Sequence, residues 1–242
     1  MLREIDDEIW VAEQPLRYLG LSVGTRMTVV RLENSELVVI SPIKVNDIIV
    51  SQLAELGVVR HIIAPNLYHY LFAANFKSLY PKAKFWAAPG LEIKKPELPI
   101  DETIKGNSGQ LLNGLEFVFF NGFRVLGLNG VDSLNECVFF HSASQTLILT
   151  DIAFHFDESF PTLTQFATKL LGGYKRLKPS VLEWIATTDK EQVKKSVEEV
   201  LRWDFERVIV AHGSIVEQNG KEKFKQGYEQ FLGRLVNAAA LD

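Results

Sequence analysis

The groups able to do chemistry in this 242-residue chain are its five histidines, its one cysteine and a few carboxylates at the ends of apolar runs. Imidazole nitrogens and carboxylate oxygens are the donors that hold zinc, iron or manganese, and imidazole also moves protons near neutral pH. Asp151 ends the run Thr146–Asp151, and His212 ends an apolar run ahead of Gly213. His69 lies in the polar and aromatic stretch Pro65–Tyr70. His155 stands four residues after Asp151 and would approach it if that segment were helical. His61, beside Arg60 in a strand-like run, reads as packed, and His141 precedes a turn at Ser142 where a local hydrogen bond suffices. Cys137, within Glu136–His141, reads as a buried strand residue rather than a nucleophile. A lone cysteine excludes an internal disulfide framework and any multi-cysteine zinc site. Gly-x-Gly-x-x-Gly, Gly-Lys-Ser/Thr and Gly-x-Ser-x-Gly are absent, which removes the specific signals for a nucleotide cradle or a serine nucleophile elbow.

Such residues need elements to position them, and the apolar period supplies these. Ile9–Ala12, Met27–Leu32 and Glu36–Ile40 read as strands, the last two joined as an antiparallel hairpin through Asn34-Ser35. From Asn46 the period turns helical through Ile49, Leu53 and Leu56, with Asn46 or Asp47 as cap and Gly57 as stop. Val58–Ala64 returns to strand, a helix spans about Leu71 to Tyr80, and Lys84–Ala87 is again strand-like. Lys95–Pro99 and Asp101–Gln110 read as a long surface connection. A meander follows: Leu115–Phe120, Phe123–Leu128, Glu136–Phe140 and Thr146–Thr150. After a helical region around Leu163–Leu171, Thr188 and Glu191 form a capping box ahead of the stripe Val193, Val197, Val200 and Leu201. The charges of Lys190–Glu199 then form a solvated face. Arg207–Ala211 reads as a buried strand, followed by a helix from about Lys221 to Phe231. The aromatic cluster Trp86, Phe119, Phe120, Phe139 and Phe140 reads as core.

The composition suits one α/β domain over residues 1–242, with 47% hydrophobic and 23% charged residues. A net charge of -4 offers no basic field for nucleic acid or an anionic membrane. No run approaches the roughly 18 apolar residues of a membrane span, and the charged start does not resemble a secretory signal. The cytoplasm is the expected compartment.

Three segments, in order, resemble the metallo-β-lactamase superfamily. Val58–Leu71 occupies the strand-then-loop position of its His-x-His-x-Asp-His motif. Thr146–Asp151 resembles the strand ending in a metal-bridging Asp, and Val208–Gly213 resembles the strand ending in the last metal His. Leu128–Asp132 lies where another His ligand usually stands. The chain is more similar still to an uncharacterised bacterial subfamily with a Ser-Pro pair (Ser41-Pro42), a Pro-Asn-x-x-His loop (Pro65–His69) and a Pro-Gly-Leu segment (Pro89–Leu91). The resemblance covers residues 5 to 232 and implies a four-layer αββα sandwich.

The same resemblance sets Asn66, Tyr68, Tyr70 and Leu71 at the His, His, Asp and His positions of the motif, none of them a good zinc ligand. It therefore implies a depleted site without a metal pair. Asp132, Asp151 and His212 remain as ligands for one zinc, iron or manganese ion. The other reading has no metal, with Asp151 capping the turn after its strand and His212 hydrogen-bonded to it. His69 is placed as a displaced ligand or general base, against a structural histidine bonded to backbone. Asn66, Tyr68 and Tyr70 are the expected substrate-binding residues. Two functions stand beside each other: a hydrolase using one ion on an ester or similar small molecule, and a non-catalytic binding protein that keeps the fold. A third reading, oxygen or redox chemistry at one iron, fits the same trio. The expected partner is a small-molecule ligand or substrate, with no nucleic acid and no membrane.

Overall fold

Alternating burial along the strands dictates how the chain stacks. The computed structural model describes residues 1–127, 130–233 and 236. Its first strands are β1 (Arg3–Asp6), β2 (Ile9–Gln14), β3 (Arg17–Tyr18), β4 (Leu21–Ser22), β5 (Thr25–Arg31), β6 (Glu36–Ile40), β7 (Val58–Ala64) and β8 (Lys84–Ala87). There follow β9 (Glu102–Thr103), β10 (Ser108–Leu112), β11 (Leu115–Phe120), β12 (Arg124–Gly127), β13 (Gly130–Ser133), β14 (Glu136–His141), β15 (Thr146–Ile148) and β16 (Arg207–Ile209). The helices are α1 (Asp47–Leu56), α2 (Ala73–Leu79), α3 (Leu91–Lys94), α4 (Thr162–Leu171), α5 (Val181–Ala186), α6 (Lys190–Val200) and α7 (Gly220–Leu232).

One sheet runs β1-β2-β5-β6-β7-β8-β9 and a second runs β10-β11-β14-β15-β16. Successive side chains on a strand face opposite ways, so each sheet has two apolar faces to cover. Ile9, Val11, Val38 and Ile63 from the first sheet meet Phe117, Phe139, Ile148 and Ile209 from the second in one inner core. Their neighbours Trp10, Leu37, Val39 and Ile62 point outward onto Ile49 and Leu53 of α1 and Phe76 of α2. On the other side Val118, Phe120 and Val138 pack on Val193 and Val197 of α6 and Phe224 and Tyr228 of α7. Helix, sheet, sheet and helix thus stack in four layers, as expected. Each large side chain buried this way contributes about 1.5–3 kcal/mol.

The helix capped at Asn46 forms as expected, its side chain accepting from the Ile49 amide. Three expectations change. The capping box lies at Ser180 and Glu183 and opens α5, a helix not anticipated, while α6 is capped by Asp189, which accepts from Gln192. The polar Asp101–Gln110 region contains β9 and the start of β10, whose exposed edge residues lack the apolar alternation that marks half-buried strands. The helix expected from about Leu71 starts at Ala73, after Phe72, whose side chain makes no capping hydrogen bond. Leu128, the last residue of the expected second meander strand, lies outside the described residues.

Two parallel pairs, β6–β7 and β15–β16, end at one edge of the sandwich. The antiparallel strands β5 and β14 begin at that edge. Carboxyl ends of parallel strands leave turns free to present side chains, the usual location of sites in open α/β sheets.

Candidate metal centre

Glu136, at the start of β14, is fully buried, and its carboxylate organises the turn after β15. The Thr150 amide donates to its Oε1 at 2.8 Å and the Asp151 amide to its Oε2 at 2.7 Å. Asn66, also fully buried, bonds the same hub. Its Nδ2 lies 2.8 Å from Asp151 Oδ2, 3.0 Å from Glu136 Oε2 and 2.9 Å from Thr150 Oγ1. Its Oδ1 accepts from the backbone amides of Tyr68 and His69, both at 2.8 Å. Those two donors fix which way the Asn66 amide faces. They also curl the loop so that His69 enters the site, where an extended path would have turned it away.

His69 Nε2 stands 3.2 Å from Asp151 Oδ2 and 3.2 Å from His212 Nε2. His212 Nε2 is 3.3 Å from Asp151 Oδ1. Behind the rings, His212 Nδ1 donates to the Gly24 carbonyl at 2.6 Å, and His69 Nδ1 is 2.6 Å from Ser41 Oγ. Ser41 is buried with φ 55°, a left-handed backbone unusual for a side chain with a Cβ. Its amide, donating to Ile63 O at 2.9 Å, holds that conformation against the end of β7. The loop carrying His212 is pinned by the buried Arg26, which bonds the Val210 carbonyl, the Gly213 carbonyl at 2.8 Å and Glu13 at 2.9 Å. Gly213 has φ 106°, and a Cβ there would collide with the His155 carbonyl. A glycine after His212 is therefore required by close backbone approach.

The donor set itself tests whether an ion fits. A carbonyl oxygen only accepts, so His212 Nδ1 bears the hydrogen and the Nε2 of the neutral ring presents a lone pair. Asp151 presents only lone pairs. The lone pairs of His212 Nε2 and Asp151 Oδ1 face each other at 3.3 Å and His69 Nε2 lies 3.2 Å from both side chains, an arrangement that a cation held by all three, or a proton on His69, would satisfy. Donors bonded at about 2.0–2.1 Å to a four-coordinate ion stand about 3.3 Å apart, the spacing seen here. Ligating histidines characteristically engage their other nitrogen with a carbonyl or similar partner; here His212 Nδ1 donates to the Gly24 carbonyl and His69 Nδ1 pairs with the Ser41 hydroxyl. The residues fit one divalent ion.

Electrostatics agree with the geometry. Burial alone would raise the Asp151 pKa, but the His69 and His212 imidazoles beside it hold it well below the ordinary carboxylate range. Burial pulls His69 down, and the Asp151 carboxylate more than reverses this, so its pKa is raised. Burial and the neighbouring Asp151 charge push Glu136 up.

The structure brings Asp151, His212 and His69 together, and among the described residues these three form the one His/Cys/Asp/Glu group spaced for an ion. Asp132, expected as the third ligand, is not part of it. The β12–β13 hairpin presents Asp132 to Lys94 Nζ at 3.0 Å and to the Tyr68 hydroxyl at 2.8 Å. Asn66, expected to bind substrate, spends its amide on the internal hub. Tyr68 is half-buried beneath Lys94, and Tyr70 lies near Lys95. His155 bonds the Ser214 carbonyl at 3.1 Å instead of approaching the trio. His61 accepts from the Trp86 indole at 3.0 Å, and His141 meets Ser144 Oγ at 2.8 Å. Cys137 is buried, which pushes its thiol pKa up. Glu136 and Arg26 were missed by the sequence reading. A carboxylate opening an otherwise apolar strand was the available signal for Glu136, whereas nothing local marked Arg26.

A family profile described as a domain of unknown function, DUF4336, matches residues 6–177. No curated protein matches the chain. Among solved structures, a metallo-β-lactamase from Pontibacter korlensis superposes with a TM-score of 0.66 at 12% identity, over 96% of this chain and 98% of that one. The FIM-1 metallo-β-lactamase of Pseudomonas aeruginosa, solved in its mono-zinc form, gives 0.62 at 11% identity, covering 96% of each chain. The Flv1 flavodiiron core from Synechocystis sp. PCC6803, metal-soaked, gives 0.63 at 14% identity, over 96% of this chain and 60% of that one. At these identities the likeness shows the fold alone: this is the metallo-β-lactamase fold.

Proposed function

The chain belongs to the DUF4336 family, and from that premise we propose a hydrolase-like protein that holds one divalent ion at His69, Asp151 and His212. The observation carrying this reading is the convergence of three donor side chains with their far nitrogens already engaged. The Pro65–His69 loop stands in for the motif whose ligands are missing, with Asn66 orienting Asp151 and His69 supplying the first-loop nitrogen. When bound, the ion supplies Lewis acidity, polarising an ester carbonyl and making water acidic enough to attack near neutral pH. Gly24 and Ser41 keep the two rings in register, Glu136 fixes the Asp151 backbone, and Arg26 anchors the His212 loop. The substrate class proposed is an ester or similar small molecule. Two imidazoles with one carboxylate also form the donor set of non-haem iron sites, so the identity of the ion separates hydrolytic from oxygen chemistry.

Metal analysis of protein purified without chelator tests the reading. One zinc, iron or manganese per chain is expected, lost in Asp151→Ala, His69→Ala and His212→Ala and kept in Asp132→Ala. Wild-type protein that stays empty after incubation with each ion, with esters untouched, would leave the fold serving as a binding scaffold and overturn the proposal.

A further inference from the structure

Helix α4 is amphipathic in the sense opposite to that of a helix on a water-facing surface. Its buried face is made of Thr164 and Thr168, the former 1% exposed, while Leu163, Phe166 and Leu170 are 63%, 62% and 66% exposed. Those three lie at i, i+3 and i+7, one stripe of the helix. Exposed apolar residues also stand on the two segments joined to α4. Gly172, just after α4, abuts Lys178 and the Pro179 carbonyl, which brings the start of α5 alongside, where Trp184 and Ile185 are 52% and 60% exposed. Thr164 Oγ1 donates to the Ser22 carbonyl at 3.0 Å and fastens α4 to the β3–β4 hairpin, whose Tyr18 and Leu19 are also exposed. Isolated exposed apolar residues are ordinary, but a contiguous patch marks a surface that something covers.

Charge identifies the cover. Residues 159–182 contain Lys169, Lys175, Arg176 and Lys178 and no acidic residue, in a chain whose net charge is -4. Lys169 and Arg176 are exposed, as is Arg17 on the adjoining hairpin, while Lys175 pairs with Glu158. A second copy docked across a two-fold axis would set these cations against each other. An anionic lipid surface meets both features, accepting the apolar stripe between its headgroups and pairing with the flanking cations. We propose that the strip formed by the β3–β4 hairpin, α4 and α5 docks on anionic lipid bilayers. The whole-chain charge, which speaks against such a partner, averages away a local basic patch. No helix among the described residues is long and apolar enough to cross a membrane, so this is attachment at the surface. The strip adjoins the candidate site: the hairpin leads into Gly24 behind His212, and the segment between Asp151 and α4 places the Phe154 ring 6.4 Å from the His212 ring.

Flotation of the full chain with vesicles tests this without reference to metal or activity. Vesicles of phosphatidylcholine with phosphatidylglycerol should carry the protein, vesicles of phosphatidylcholine alone should carry at least tenfold less, and rising salt should release it. Tryptophan emission should shift to the blue on binding, and the shift should vanish in Trp184→Phe. Phe166→Glu/Leu170→Glu and, separately, Lys169→Glu/Arg176→Glu should each weaken binding about tenfold with an unchanged circular dichroism spectrum. The second pair keeps the test decisive if the first fails to fold. Absence of binding, equal binding to both vesicle types, or indifference to the charge variant would overturn the proposal. So would a dimer in light scattering that Phe166→Glu dissociates, since the strip would then be a self-interface.

Discussion

At the scale of single residues, the candidate centre depends as much on what stands behind the donors as on the donors. Ser41 illustrates this. Its hydroxyl anchors His69 Nδ1, and its backbone accepts a left-handed φ to put the hydroxyl there. Ser41→Ala should lower metal affinity by about 10-fold or more, as loss of such supporting partners usually does. Ser41→Gly should lose the same affinity yet be more stable than the alanine variant by about 1 kcal/mol, because glycine adopts φ 55° without penalty. Metal titration read beside thermal melting separates the two effects. Glu136 is the other supporting residue. Glu136→Ala would leave the Thr150 and Asp151 amides without acceptors in the core. Each buried donor so orphaned costs about 1–3 kcal/mol, so urea unfolding should show a loss of about 2 kcal/mol or more. Glu136→Gln, which keeps one acceptor oxygen, should lose less.

Among the elements, the two sheets are stitched at the edge remote from the trio by Arg207 at the start of β16. Its Nη1 donates to Asp6 at the end of β1 at 2.6 Å, and its Nε donates to Glu217 at 3.0 Å. The hydrogen bond from Arg207 holds the Asp6 pKa below its ordinary value. A carboxylate whose pKa is lowered in the fold stabilises above its unfolded pKa and loses that contribution as pH falls through the folded value. Stability should therefore decline below about pH 4 by a share that Asp6→Asn removes. The share is under about 1 kcal/mol, since Asp6 is more than a third exposed and screened by solvent. Urea midpoints between pH 3 and 6, compared for the two proteins, check it. Element boundaries were legible where a cap or a period was strong. The α1 cap at Asn46 and the strand Val58–Ala64 are where the residue pattern sets them. The short helix α5 was not, because six residues hold less than two turns of period and only the Ser180–Glu183 box announces it.

For the molecule as a whole, His69, Asp151 and His212 follow β7, β15 and β16, elements from both sheets, so an ion held by all three binds only the folded chain. A divalent ion at 100 times its dissociation constant should stabilise by about 2.7 kcal/mol. For a chain of this size that is a rise in melting temperature of roughly 5–10 °C. Calorimetry with metal and with chelator checks the shift, and Asp151→Ala should show none.

Residue order alone determined most of the strand and helix segments, because periods of two and of 3.6 are local and repeat often enough to read, while the four-layer stacking was implied by the resemblance and is seen in the packing. The resemblance of Thr146–Asp151 and Val208–Gly213 to metal-bearing strand ends marked Asp151 and His212, which the structure places together. Only the tertiary structure decided which third residue joins them. Asn66, by capping two amides, turns His69 inward, and Lys94 with Tyr68 holds Asp132 on its hairpin outside the trio. Tertiary structure likewise decided the meaning of α4. A helix with one apolar stripe has the same sequence whether that stripe meets a core or faces outward, and only the packing of Thr164 and Thr168 shows that it faces outward.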